Sequence, residues 1–198
     1  MPTRTEQGAL EEPVRAILAS ARTEIESKGI LGLRVADVAH GAHSSITQIY
    51  RYFGNRDGLL AAVLGDIYEE YLDKGFETVM ERLSTHDRLT IDDIVDALPS
   101  PTDGRYVQNQ EVRLQILAAA VTNEALSARL QSITQSQLAE WSEGLDLIEG
   151  KLASGAKIDR RVFLIMLSMQ TGYYRTLMGE HGFSEDEYRA FLRDKLRA

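Results

Sequence analysis

The sequence predicts an all-α protein of about nine helices, with a small three-helix head ahead of a larger helical body. Three observations predict it. Apolar residues recur at three- and four-residue spacing along most of the chain, while strand-like alternation never lasts beyond a few positions. Only four prolines occur, none of them between Pro13 and Pro99. Residues that start helices, such as Asn55, Asn123 and Ser184, stand just ahead of periodic stretches. A chain of 198 residues suits one domain, or a head on a larger body, and is long enough to bury a core.

The elements follow in order. The first helix is expected from about Glu11 to Lys28, with Pro13 in its first turn, Val14, Ile17, Leu18, Ala21 and Ile25 on one face, and Gly29 as the stop. A short helix at Val35 to Ala39, a break around Gly41 to Ser44 and a second short helix from Ser45 to Phe53 complete the head. Asn55 then caps a long helix with apolar residues at Leu60, Val63, Leu64, Ile67, Tyr71, Leu72, Val79, Met80 and Leu83. At 1.5 Å per residue it reaches about 45 Å. Gly65 and Gly75 inside it mark close packing or a bend, and packing is the favoured reading. Thr90 to Leu98 reads as a short acidic helix, and residues 99–104 as a loop. Helices near Gln110 to Thr122 and Glu124 to Ala153 come next, then a strongly apolar one from about Asp159 to Gly179. Ser184 and Glu187, at capping-box spacing, open the last. The expected division is 1–56 for the head and 57–198 for the body.

Composition narrows the function. With 43% hydrophobic and 26% charged residues the chain is globular rather than disordered. The absence of cysteine excludes a disulfide scaffold, a thiolate zinc site and a cysteine nucleophile. Its longest apolar runs, such as Ile116 to Val121, fall far short of the roughly 20 residues that cross a bilayer, and residues 1–15 lack a signal-peptide core. A soluble, cytoplasmic protein is expected, with no cofactor and no metal. Net charge is −8, unevenly divided: residues 1–56 carry 7 basic against 6 acidic groups, and the remainder 15 against 24. Only the first quarter of the chain is therefore suited to approach phosphate.

That quarter contains the segment VADVAHGAHSSITQIYRYF, residues 35–53. A helix-turn-helix needs a small residue where its helices cross, a tight turn, and a second helix that is apolar inside and polar outside. Val35, Val38, Ala42, Ile49 and Phe53 supply the inside, and Ala39 the crossing. Ser45, Ile46, Thr47, Gln48, Tyr50 and Arg51 lie outside, a set of hydroxyls, an amide and a guanidinium suited to a major groove. Tyr52 and Phe53 read as packing rather than DNA contacts. His40 and His43 lack a third ligand and read as turn and surface residues, and Asp92, Asp93 and Asp96 as a solvated helical face.

From the first helix through Leu64 the chain resembles the TetR family of transcriptional regulators. The resemblance rests on ILASARTEIESKG, VADVA and especially IYRYFGNRDGLLAAVL. It implies a double-stranded DNA operator as partner. Tyr50 and Arg56 would contact phosphates, with Ser45, Ile46, Thr47, Gln48 and Arg51 on bases or backbone. His43 replaces the family's usual turn glycine, at modest cost because histidine tolerates the left-handed region, and Ser44 replaces an apolar residue. Arg34, where a hydroxyl residue is common, would add a charged phosphate contact.

Reading two half-sites calls for a homodimer. In the sequence, Ser168, Gly172 and Thr176 form a smooth stripe on the most apolar helix. With Tyr188, Phe191, Leu192 and Leu196 of the last helix they are the expected interface, packing within a single chain being the alternative. The resemblance also implies an effector cavity in the body, for which the residues offered are Tyr71, Met80, Leu117, Val121, Trp141, Leu145, Met166, Met169, Gln170 and Tyr173. These would suit a small apolar or aromatic ligand, although sequence spacing does not separate a cavity lining from a filled core. A ligand-released repressor is the leading expectation. A regulator or activator gated by a protein partner is the alternative. A helical enzyme is disfavoured by four scattered histidines and the lack of cysteine and of a glycine-rich phosphate loop.

Overall fold

The computed structural model describes residues 4–99, 104–153, 157–163 and 184–196. Among these are eight helices: α1 (Arg4–Gly32), α2 (Val35–Gly41), α3 (Ile46–Phe53), α4 (Arg56–Ser84), α5 (Ile91–Ala97), α6 (Gly104–Ala120), α7 (Glu124–Lys151) and α8 (Glu185–Leu196). A further helix opens at residues 160–163. The described residues form no strand; Leu89 and Leu152 make an isolated bridge. None of their helices is long and apolar enough to cross a membrane.

Local chemistry sets most helix ends. Gly29 interrupts α1 at φ 73, ψ 169, a conformation essentially reserved for glycine, so the expected stop operates. The start differs: α1 begins at Arg4 and Pro13 lies inside it, because glutamate, glutamine and alanine upstream favour helix enough to absorb one missing hydrogen bond. Asn55 Oδ1 accepts from Gly58 N at 2.8 Å and Asn123 Oδ1 from Leu126 N at 2.9 Å, so both expected caps are made. Thr90 and Asp93 form a full capping box, and Ser184 and Glu187 another. Such caps contribute about 1 kcal/mol each. α6 starts at Gly104, several residues ahead of expectation.

The chain divides into two compact units. The first comprises Met1–Glu69 and Gln115–Ile133. Its buried residues include Ile17, Ala21, Val38, Ile49, Leu59, Leu64, Ile116 and Leu126. Here Gly65 is a packing glycine as expected, since a Cβ there would meet the side chain of Arg129. Arg129 lies across it and pairs with Asp66 and Glu69. Gly75 has open space within 4 Å.

The second unit comprises Glu70–Leu114 and Thr134–Ala198. Its core joins Val79, Leu83, Leu89, Ile94, Trp141, Leu145, Ile148, Phe163, Leu192 and Leu196. Phe76 meets Trp141 edge-on at 4.9 Å between ring centres, and Phe163 lies 5.3 Å from the same indole. The acidic side of α5 is not simply solvated. Arg193 pairs with Asp92, and Arg189 donates to Val95 O at 2.8 Å and to Asp96 at 3.2 Å, fastening α8 to α5. A short seam also ties the α4–α5 connection to the end of α7. Leu89 N donates to Lys151 O at 2.8 Å, Ala153 N donates to Leu89 O at 2.9 Å, and Lys151 Nζ donates to His86 O at 3.0 Å.

Candidate nucleic-acid interface

The candidate surface is built on α2 and α3 in the first unit. Val35, Val38 and Ala39 are the buried residues of α2, and Ile49, fully buried, that of α3. Burying a side chain of that size contributes about 2 kcal/mol and fixes which face α3 turns outward. Between the helices, Ala42 N bonds Val38 O and Ser44 N bonds Ala39 O, both at 2.9 Å. His43 sits at φ 49, the left-handed conformation anticipated where glycine is usual. Ser45 caps α3, its hydroxyl accepting from Gln48 N at 3.1 Å.

α2 is held from behind by α1. Ser20 Oγ donates to Val38 O at 3.0 Å. A Cβ on Gly41 would fall 2.4 Å from that same oxygen. Besides the buried Ala39, Gly41 must thus stay small if that bond is to be kept. Lys28 bridges Glu24 at 2.6 Å and Asp37 at 2.9 Å. Those hydrogen bonds, Glu24 foremost, raise the lysine above its ordinary value, and the bond from Lys28 lowers Asp37.

The outward face carries the expected residues. Ser45, Ile46, Thr47, Tyr50 and Arg51 are exposed, and Gln48 is half-buried. The guanidinium of Arg51 lies 5.2 Å from the ring centre of Tyr52 and donates to its hydroxyl at 3.4 Å. Hydrogen bonding from Arg51, then from Gln48, lowers the Tyr52 phenol below its usual range. Ser44 Oγ donates to Gln48 Oε1 at 3.2 Å. Sequence reasoning missed this role for Ser44 and treated it only as a departure from an apolar position. The serine uses one acceptor site of the amide oxygen, and the amide is also bonded to the Tyr52 hydroxyl, so both neighbours fix how Gln48 is presented.

Arg34 and Arg56 flank the unit. Arg34 is the exposed, extended residue before α2. Arg56, half-buried at the start of α4, donates to Leu33 O at 3.4 Å, which ties it to the α1–α2 connection. His40 is exposed in the last turn of α2.

The expected body residues are placed less favourably. Trp141 and Leu145 are buried at 6% and 1% in the core of the second unit, with Met80 packed against it. Tyr71 lies under the guanidinium of Arg113, 5.9 Å from its ring centre. Leu117 is half-buried in the first unit, and Val121 stands in the turn after α6 at 83% exposure. Met166, Met169, Gln170, Tyr173, Ser168, Gly172 and Thr176 lie outside the described residues. Leu192 and Leu196, expected at a subunit interface, are 1% and 0% exposed and pack in the core of the second unit. Tyr188 packs against that core, while Phe191, at 52%, faces solvent.

Comparison with known proteins follows this geometry. Residues 17–63 match the family model of bacterial regulatory proteins, tetR family, from the middle of α1 through the start of α4. No curated protein matches the chain. Solved structures share the fold. One, from Rhodococcus sp. and assigned as a TetR-family transcriptional regulator, is 24% identical at TM-score 0.56, covering 93% of this chain and 96% of its own. The multidrug binding protein EbrR, complexed with imidazole, is 19% identical at TM-score 0.58, with 93% and 94% covered. A third, assigned as a transcriptional regulator from Saccharomonospora viridis and holding choline, is 18% identical at TM-score 0.57, with 93% and 97% covered. The buried-inside, polar-outside α3 behind a tight turn thus lies on the segment that fits the model of bacterial regulatory proteins, tetR family, and the chain shares the fold of these solved structures.

Proposed function

We propose that the protein is a cytoplasmic homodimeric repressor that holds an operator through two copies of α3 and is released by a small, largely apolar or aromatic ligand. The carrying observation is the division of α3, with Ile49 fully buried and Ser45, Ile46, Thr47, Tyr50 and Arg51 exposed. In this reading Arg51, Thr47 and Gln48 face base edges, Tyr50 and Ser45 the backbone, and Arg34 and Arg56 neighbouring phosphates. Arg56 does so while anchored to Leu33 O, which would fix its direction. The near-neutral head, residues 1–56, approaches DNA, and the acidic remainder, residues 57–198, is kept away from it.

The dimer would form through the sequence stripe Ser168, Gly172 and Thr176, with Phe191, exposed on α8, as a further contact. The ligand acts by binding one dimer arrangement better than the other, a coupling typically worth about 1–3 kcal/mol, with α4 as the lever. Neighbours that hold imidazole and choline support a small-molecule effector for this fold.

The test is gel shift against DNA from the protein's own promoter region. Y50A and R51A should each weaken binding by about 1–3 kcal/mol, and log affinity should fall steeply with log salt. Unchanged affinity in both variants, or a flat salt dependence, removes the proposed interface. A bulky residue at Gly172 should dissociate the dimer in sedimentation, and an intact dimer would move the interface elsewhere.

A further inference from the structure

Two polar residues are buried among the described ones, Asn123 and Gln137, and they are treated differently. Asn123 is fully used, donating to Asp57 O and accepting from Leu126 N, each at 2.9 Å. Gln137, at 6% exposure, donates through Nε2 to Asp73 Oδ1 at 3.2 Å and to Glu140 Oε2 at 2.8 Å. Its Oε1 is buried with no hydrogen-bond partner. The amide cannot be turned over to relieve this, because its oxygen would then face two carboxylate oxygens. The carboxylates dictate the orientation, and the orphaned acceptor is the result, a cost that buried polar groups rarely bear.

The two carboxylates carry no cation of their own among the described residues. Asp66, Glu69, Asp92, Asp96, Asp146 and Glu149 are each held by an arginine. Asp73 and Glu140 have no Lys or Arg in ion-pair range among the described residues; the bonds from Gln137 are their contacts. One turn along α7 from Gln137 stands Trp141, and one turn along α4 from Asp73 stands Phe76, whose ring meets that indole at 4.9 Å. A negative, acceptor-rich end thus adjoins an aromatic one.

We infer that Gln137 Oε1, Asp73 and Glu140 form the polar end of a site for an organic monocation with N–H donors, a primary ammonium or amidinium, whose apolar body rests toward Phe76. The N–H groups would satisfy the orphaned oxygen, and the positive charge would neutralise the carboxylate pair through charge-assisted hydrogen bonds. This rests on the ligand-responsive reading and adds a charge to the ligand that reading describes.

Trp141 is the single tryptophan of the chain, so its fluorescence reports on the site. Full-length protein is titrated with benzylammonium and with the neutral isostere benzyl alcohol, in wild type, D73N, E140Q and Q137M, each checked for native circular dichroism. Benzylammonium should bind wild type at least about tenfold tighter than benzyl alcohol, and D73N should erase that preference while leaving benzyl alcohol unchanged. Equal affinities in wild type, no binding of either probe, or full cation affinity in both D73N and E140Q overturn the inference. That last result would mean that water alone serves Gln137. Gel shift in parallel separates the two proposals. Carboxylate-dependent cation binding with unaltered DNA affinity keeps this site and defeats ligand release. Release by both probes alike does the reverse.

Discussion

The hydroxyl oxygen of Ser20 stands 2.4 Å from the point where a Cβ on Gly41 would lie, so a side chain there would have to displace that hydroxyl. Ser20 uses the contact to donate to Val38 O. Replacing Gly41 by alanine should therefore cost the head the Ser20–Val38 hydrogen bond, about 1 kcal/mol. Adding Ser20→Ala should cost little more, because the hydroxyl is already displaced and Ser20 Cβ is in ordinary contact at 3.4 Å. Thermal melts of the two single variants and the double variant check it. Strict additivity would contradict the steric account.

Ser44→Ala removes the hydrogen bond that holds the Gln48 amide and leaves its oxygen wholly available. A glutamine with both amide groups available can pair bidentately with adenine, a discrimination of about 1–3 kcal/mol. Selection from a randomised operator pool should show the variant shifted toward adenine at one position of each half-site. An unaltered preference would mean that Gln48 does not read that position.

Arg189 joins three acceptors at once, Glu185 on its own helix, and Val95 O and Asp96 on α5. Its side chain is only 23% exposed, so these bonds are less screened than those of a free surface pair. Arg189→Met keeps the stem packing and removes the donors. It should lower stability by about 1–2 kcal/mol, read as a lower urea midpoint with an unchanged slope.

Two capping boxes give the protein an acid-sensitive component. Hydrogen bonds from the Ser184 backbone and hydroxyl hold Glu187 below its ordinary value of 4.5, and those from Thr90 hold Asp93 below 3.8. Because the folded state depresses both groups, their contribution is present above the unfolded values and is lost as pH falls through the folded ones. Glu187→Gln and Asp93→Asn should each flatten the decline in melting temperature below about pH 4.5. A decline as steep as that of wild type in both would place the acid sensitivity elsewhere.

What could be read from the residues alone was short-range. The caps at Asn55, Asn123 and Ser184, the stop at Gly29 and the left-handed turn at His43 depend on a few neighbouring positions, and all are formed. The outward set on α3 was legible because one buried residue, Ile49, orients an eight-residue helix. Partners distant in sequence were hidden. Nothing near Asp92 or Asp96 points to Arg189 and Arg193 about a hundred positions away. Helical spacing identified Leu192 and Leu196 as buried without revealing whose core they enter. Val121 continues an apolar run but falls on a turn that carries it into water. The orphaned oxygen of Gln137 follows from two carboxylates on different helices, a three-body circumstance that no local pattern encodes.

The seam at Leu89 joins the α4–α5 connection to the end of α7 and the residues just beyond it, with amides donating in both directions. Neither end can fray by itself, since loosening Lys151 or Ala153 strips Leu89 of its bonds as well. In deuterium uptake the amides of Leu89 and Ala153 should therefore share one opening event and one protection factor, protected well beyond what a loop and a helix end would have apart.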